Sequence, residues 1–233
     1  MTIDGIERRR AAMIMGALIL MAFGTWGGGG ALLDAGTAMA LPVMFASAPV
    51  VILIGLLAFG VMRAVAPVVA ATYLATRLFE AALLTVAAVL MTTPADALFS
   101  HALFDAGQRA YLAAMAGLGI GSIPFCLALL HHRMVPFWLG LWGAVGYAIF
   151  AIGMIADMTE LGIGLMLLVP GGVFEIVFAL WLIIRGLASP AASPARPPLV
   201  RRWRHTMRRS LALSPSDPCG KRPGCSTATA RWR

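Results

Sequence analysis

Six stretches of this chain run for about 20 residues or more with almost no charge, and each is long enough to cross about 30 Å of hydrocarbon as a helix rising about 1.5 Å per residue. They cover residues 11–33, 41–62, 65–92, 110–130, 134–156 and 161–184. Inside lipid every backbone N–H and C=O has to be satisfied within the protein, which leaves helices and closed barrels as the spanning solutions. A barrel strand would alternate apolar and polar residues over about 10 positions, whereas these runs are apolar all round. The expected fold is therefore all-α: a polytopic bundle of six transmembrane helices over residues 11–187, preceded by a short N-terminal segment, 1–10. Composition agrees, because only 12% of the residues are charged and 60% are hydrophobic, against about 25% charged in a soluble domain.

The charges between the runs alternate in kind. Arg8, Arg9 and Arg10 precede the first run, Arg63 follows the second, Arg133 the fourth and Arg185 the sixth, all on one side of a six-span chain. The other side receives Asp34, Asp96, Asp105, Asp157 and Glu160, with Arg109 as its one nearby basic residue. Short loops rich in Lys and Arg stay in the cytoplasm, so both termini are predicted there. A cleaved secretory signal ending at Ala38-Met39-Ala40 would leave five spans. The first apolar run is longer than the 7 to 15 residues usual for such a signal, and the uncleaved reading is preferred.

From residue 188 the chain changes character, becoming rich in Pro, Ser and Arg with no apolar period. That composition predicts a disordered, basic cytoplasmic tail over 188–233. Contact with anionic lipid is one use for it; a solvated tail without a partner, or an out-of-frame extension, is the plainer reading. Nucleic acid is not expected as a partner, because no folded reading module accompanies the charge.

Metal and cofactor chemistry finds little support. Cys219 and Cys225 stand in the tail without supporting histidines, Cys126 reads as a small buried apolar residue, and no zinc site is expected. Haem would need histidines facing each other inside the bundle. His101 and His205 fall outside the spans, and His131, His132 and Arg133 read as the anchor of the fourth. No cofactor is expected. Walker, HExxH, GxSxG and DxD patterns are lacking, and no nucleophile and base stand at readable spacing, so the reading is non-enzymatic. Gly117 and Gly121 with Ala113, and Gly140, Gly143 and Gly146, are spaced as small residues that let membrane helices approach closely, within the bundle or in an oligomer. Gly27 to Gly30 would loosen or kink the first span.

That leaves the charges inside the spans. Arg77 lies about 21 Å along a regular helix from Arg63, with Glu80 one turn further, and Glu175 lies about 15 Å in from Arg185. A charged side chain facing lipid costs about 2.5–3.5 kcal/mol on insertion scales, so Arg77, Glu80 and Glu175 are expected to face the bundle interior. Arg77 can pair with Glu80 along its own helix or with Glu175 across helices. A second polar group, Asp105, Gln108 and Arg109, reads as an interfacial helix start.

The segments YLATRLFEAALL, HALFDAGQRAYLAAMAGLGIGSIPFCLALLHHRMVPFWLGLWGAVGYAIFAIG and LLVPGGVFEIVFALWLIIRG carry a resemblance. With Arg77 and Glu80, the turn Arg133-Met134-Val135-Pro136 before Trp138, Gly143 with Gly146-Tyr147, and Pro170-Gly171 with Glu175, the chain resembles the bacterial membrane family called domain of unknown function 4386. The resemblance spans about residues 9–187 and implies a six-span integral membrane protein of unassigned activity; the expected location is a bacterial inner membrane. It carries over no catalytic residue, and the tail departs from it. The first expectation for function is a non-enzymatic structural or regulatory membrane protein in which Arg77, Glu80 and Glu175 form an ionic lock; the alternative is a small transporter or proton-coupled carrier using the same three residues. A faint parallel repeat, Arg63 and Pro67 against Arg133 and Pro136, adds little.

Overall fold

The computed structural model describes residues 5–94 and 97–188. They form seven helices: α1 (Gly5–Asp34), α2 (Ala40–Phe45), α3 (Ser47–Met62), α4 (Pro67–Thr92), α5 (Ala97–His131), α6 (Phe137–Met158) and α7 (Gly164–Ile184). Six segments are long and apolar enough to span a membrane, the second being α2 and α3 in series over Ala40–Met62. The chain is thus an all-α, multi-pass membrane protein, as its apolar runs predict. The expected tail, with His205, Cys219 and Cys225, lies outside the described residues apart from Ala188.

Local chemistry explains the helix ends. Proline is tolerated in the first helical turn, where its missing N–H would be unpaired anyway, and Pro67 opens α4. Pro49 has no N–H to give to the carbonyl of Phe45, and the second span breaks at Ala46. Threonine hydroxyls inside the spans return to their own helices, as in Thr85 Oγ1 donating to the Ala81 carbonyl at 2.8 Å, which hides the polar atom from lipid.

Two details differ from the sequence reading. α1 runs unbroken through Gly27–Gly30 to Asp34, so the four glycines neither end nor interrupt it. α5 begins at Ala97, and Asp105, Gln108 and Arg109 therefore lie exposed on a helix already under way. Those added turns dock on α4: a Cβ on Gly107 would lie 2.5 Å from Met91 Cγ and 3.1 Å from the Ala87 carbonyl oxygen.

The helices close a ring in chain order. α1 packs on α3, α3 on α4, α4 on α5, α5 on α6 and α6 on α7, and α7 returns to α1. One end of the ring is basic, carrying Arg63, Arg133 and Arg185. There Gly186 sits beside Arg9, and the Ala188 N–H donates to the Met134 carbonyl at 3.0 Å. The other end is acidic, carrying Asp34, Asp157 and Glu160; Asp96 lies outside the described residues.

Small residues set the seams of the ring, as their spacing suggested. A Cβ on Gly117 or Gly121 would run into Phe79 or Thr76 of α4, and one on Gly143 would lie 2.5 Å from Phe174 Cζ of α7. Gly146 and Gly171 face each other across α6 and α7, with the Pro170 carbonyl oxygen 3.3 Å from the Gly146 Cβ position. These glycine faces are covered by the chain's own helices.

Candidate functional site

The ring is filled unevenly. Near the basic end Met15, Met62, Leu129, Met134, Leu139 and Leu182 each expose no more than 1% of their surface, so apolar side chains plug that half. Toward the acidic end lies a cavity of about 240 Å³ bordered by α1, α3, α4, α5 and α7. Its walls are mainly apolar, among them Ile19, Phe23, Ile54, Leu84 and Leu118, while Arg77, Glu80 and Glu175 all border it. An adjoining pocket of about 70 Å³ shares Glu175 and reaches Tyr147 and Phe150 of α6.

α4 builds the basic side of the site on its own. Arg77 and Glu80 are buried, and Arg77 Nη1 donates to Glu80 Oε2 at 2.8 Å. One turn earlier the Tyr73 hydroxyl accepts from Arg77 Nε at 2.9 Å and from Nη2 at 2.6 Å. The phenol is held in place by Phe125 of α5, stacked at 4.1 Å between ring centroids. Space for the arginine stem comes from α3, where a Cβ on Gly55 would lie 2.8 Å from Arg77 Cβ. Placement at i and i+3 or i+4 lets these groups meet without help from another helix.

Glu175 arrives from α7 and takes a different partner. The Tyr147 hydroxyl of α6 donates to its Oε1 at 2.6 Å. The site thus brings one guanidinium and two carboxyl groups to one cavity, with Arg77 bonded along α4 and Glu175 bonded to α6. Across the ring, Trp26 of α1 stacks on Tyr111 of α5 at 5.0 Å and 4°, and both rings border the cavity.

Asp105, Gln108 and Arg109 do not join this group. Arg109 Nη2 lies 3.5 Å from Glu160 Oε1, both side chains being largely exposed, an arrangement that contributes little. Among the described residues no three His, Cys, Asp or Glu side chains gather as metal ligands.

Sequence reasoning gave the tyrosines no place at the site, although Tyr147 was among the residues that carry the family resemblance. The chain contains 3, and all of them attend the site: Tyr73 on Arg77, Tyr147 on Glu175, and Tyr111 on the cavity wall. The signal was available, since a tyrosine in an apolar span needs a partner for its hydroxyl and Tyr73 stands one turn before Arg77. Also unremarked was Ser122 of α5, whose Oγ is buried with no hydrogen-bond partner among the described residues.

Tyr73→Phe keeps the ring and its stacking but removes the acceptor of two charged N–H groups. A loss of about 1.5–3 kcal/mol is expected, the usual worth of a hydrogen bond to a charged group. Unfolding in mixed micelles of rising SDS fraction would measure it, and an unchanged midpoint would mean that water in the cavity replaces the phenol.

No curated protein and no solved structure matches the chain significantly. A family match does exist, over residues 29–186, from the four-glycine stretch of α1 to the end of α7. It takes in Tyr73, Arg77, Glu80, Tyr147 and Glu175, and leaves out Ile19, Phe23 and Trp26 on the α1 wall of the cavity. With that segment making up most of the chain, the protein belongs to the family described as domain of unknown function, DUF4386.

Proposed function

We propose that this protein is a non-enzymatic carrier of small solutes or protons in a bacterial inner membrane, with Arg77, Glu80 and Glu175 as its intramembrane site and the basic end in the cytoplasm. One observation carries the reading. Among the described residues every hydrogen bond of the Arg77 side chain stays on α4, and an intrahelical pair does not by itself fix how two helices dock. An ionic lock between α4 and α7 would need Arg77 bonded to Glu175; among the described residues the bonds run instead to Tyr73, Glu80 and Tyr147. Ionisable groups kept at membrane depth beside a cavity, at a cost of several kcal/mol if unpaired, are what a solute pathway requires. With the basic end inside, the cavity lies in the outer half of the membrane and the apolar plug in the inner half.

The structural reading keeps one supporting contact, the Tyr147–Glu175 bond joining α6 to α7. Glu175→Gln separates the two readings, since it preserves shape and an acceptor oxygen. In proteoliposomes containing a pH-sensitive dye, the carrier reading expects proton flux to fall at least tenfold with an unchanged elution profile and Tm. Loss of assembled protein, or unaltered flux through an intact variant, would favour the lock.

A further inference from the structure

We propose that the cavity takes an organic ammonium ion about the size of one aromatic ring, whose charge rests on Glu175 in exchange for a proton. This deepens the carrier reading and rests on it. The charge of the site favours a cation. Two carboxyl groups face one guanidinium, and that guanidinium already donates through Nε, Nη1 and Nη2 to Tyr73 and Glu80. An anion would have to compete with those bonds and with both acids. Among the described residues Glu175 accepts one hydrogen bond, at Oε1 from Tyr147, and Oε2 takes none, leaving it for an incoming donor. Hydrogen bonds between an ammonium and a carboxylate are about twice as strong as neutral ones.

The walls decide which kind of cation fits. A hard metal ion requires about six oxygen ligands, whereas this cavity is lined by Ile19, Phe23, Ile54, Leu84, Leu118 and other apolar side chains. An apolar cavity of about 150 Å³ holds a benzene ring, so about 240 Å³ holds a ring together with a short ammonium arm. Trp26 of α1 and Tyr111 of α5, stacked on each other, both lend aromatic surface to the cavity, and aromatic faces attract ammonium groups.

The acid explains the exchange. The carboxylate of Glu175 accepts either the ammonium or a proton, and binding the cation releases that proton to solvent. The groups able to alter this balance are Tyr147 on α6, Tyr73, Arg77 and Glu80 on α4, and Tyr111 and Cys126 on α5. The residues that α1 and α3 contribute to the cavity include no ionisable side chain.

Three probes of one shape and different charge test this on the full chain in lipid nanodiscs: 2-phenylethylammonium, phenylacetate and 2-phenylethanol, followed by Trp26 fluorescence with Trp26→Phe as the blank. The ammonium should bind at least tenfold more tightly than either of the others. Its affinity should fall as pH is lowered, approaching tenfold per unit on the acid side of the Glu175 titration, the slope for one displaced proton. Glu175→Gln should lose this preference while binding 2-phenylethanol as before, and Glu175→Asp should recover part of it. Tighter binding of phenylacetate, or equal binding of all three, would overturn the ammonium assignment while leaving the cavity as a solute site. Failure of every probe to bind a monodisperse protein would overturn the cavity as a site for a ring-sized ammonium, while loss of the carrier reading itself would show as proton flux unaltered by Glu175→Gln.

Discussion

Arg77→Leu is expected to lower the stability of the folded bundle by about 3–5 kcal/mol, the cost commonly found when one partner of a buried ion pair is removed. Leucine keeps apolar bulk against Gly55 and leaves Glu80, which exposes only 3% of its surface, without its cation at 2.8 Å. Tyr73 loses both of its donors at the same time. The damage comes from the stranded carboxylate, so the double variant Arg77→Leu/Glu80→Leu should regain most of the loss, because buried pairs replaced by apolar residues are often neutral or better. Unfolding midpoints in SDS mixed micelles for the wild type, both single variants and the double variant would form the cycle. A double variant as weak as the single would show that the pair itself contributes the stability. A harmless Arg77→Leu would show that Glu80 is hydrated from the cavity.

The second large effect is expected at Gly16. A Cβ there would lie 2.5 Å from the Ala179 carbonyl oxygen and 2.9 Å from Ile183 Cγ1. The first of these is backbone of α7 and cannot swing aside. Overpacking of ordinary cores costs about 1–3 kcal/mol, and Gly16→Leu should reach or exceed the top of that range by forcing α1 off α7. Since α1 supplies Ile19, Phe23 and Trp26 to the cavity, opening this seam should also abolish probe binding. Gly28→Leu is the control, on the same helix with nothing within 4 Å of the added carbon; its elution profile and Tm should match the wild type. Equal behaviour of the two variants would remove the seam from the account.

The span pattern was legible because bilayer thickness imposes a length that apolar runs report directly. Gly143, Gly146 and Gly117 could be read as packing positions for a related reason: close approach of helices in lipid demands small residues at regular spacing. What pairs with Arg77 was only half legible. Tyr73 and Glu80 follow from helix geometry alone, whereas Glu175 finding Tyr147 depends on the register of α6 against α7, which local sequence does not encode. The cavity was invisible for a stronger reason, since its walls are apolar residues like those facing lipid, and only their convergence distinguishes them. Ring closure through Gly16 was missed in the same way, one glycine among many until Ala179 is seen beside it.

The self-contained bonding of α4 bears on how such a protein is made. Spans are synthesised one after another from the N-terminus, and the α1–α7 seam joins the first span to the last. Until α7 arrives the ring is open, and the side of α4 that will border the cavity has no finished interior to face. An arginine waiting for Glu175 would spend that interval as a bare cation in acyl chains. Because the bonds among Tyr73, Arg77 and Glu80 all lie along a single helix, they need no later helix to form, and the pair can already be in place when the final helix completes the chamber around it.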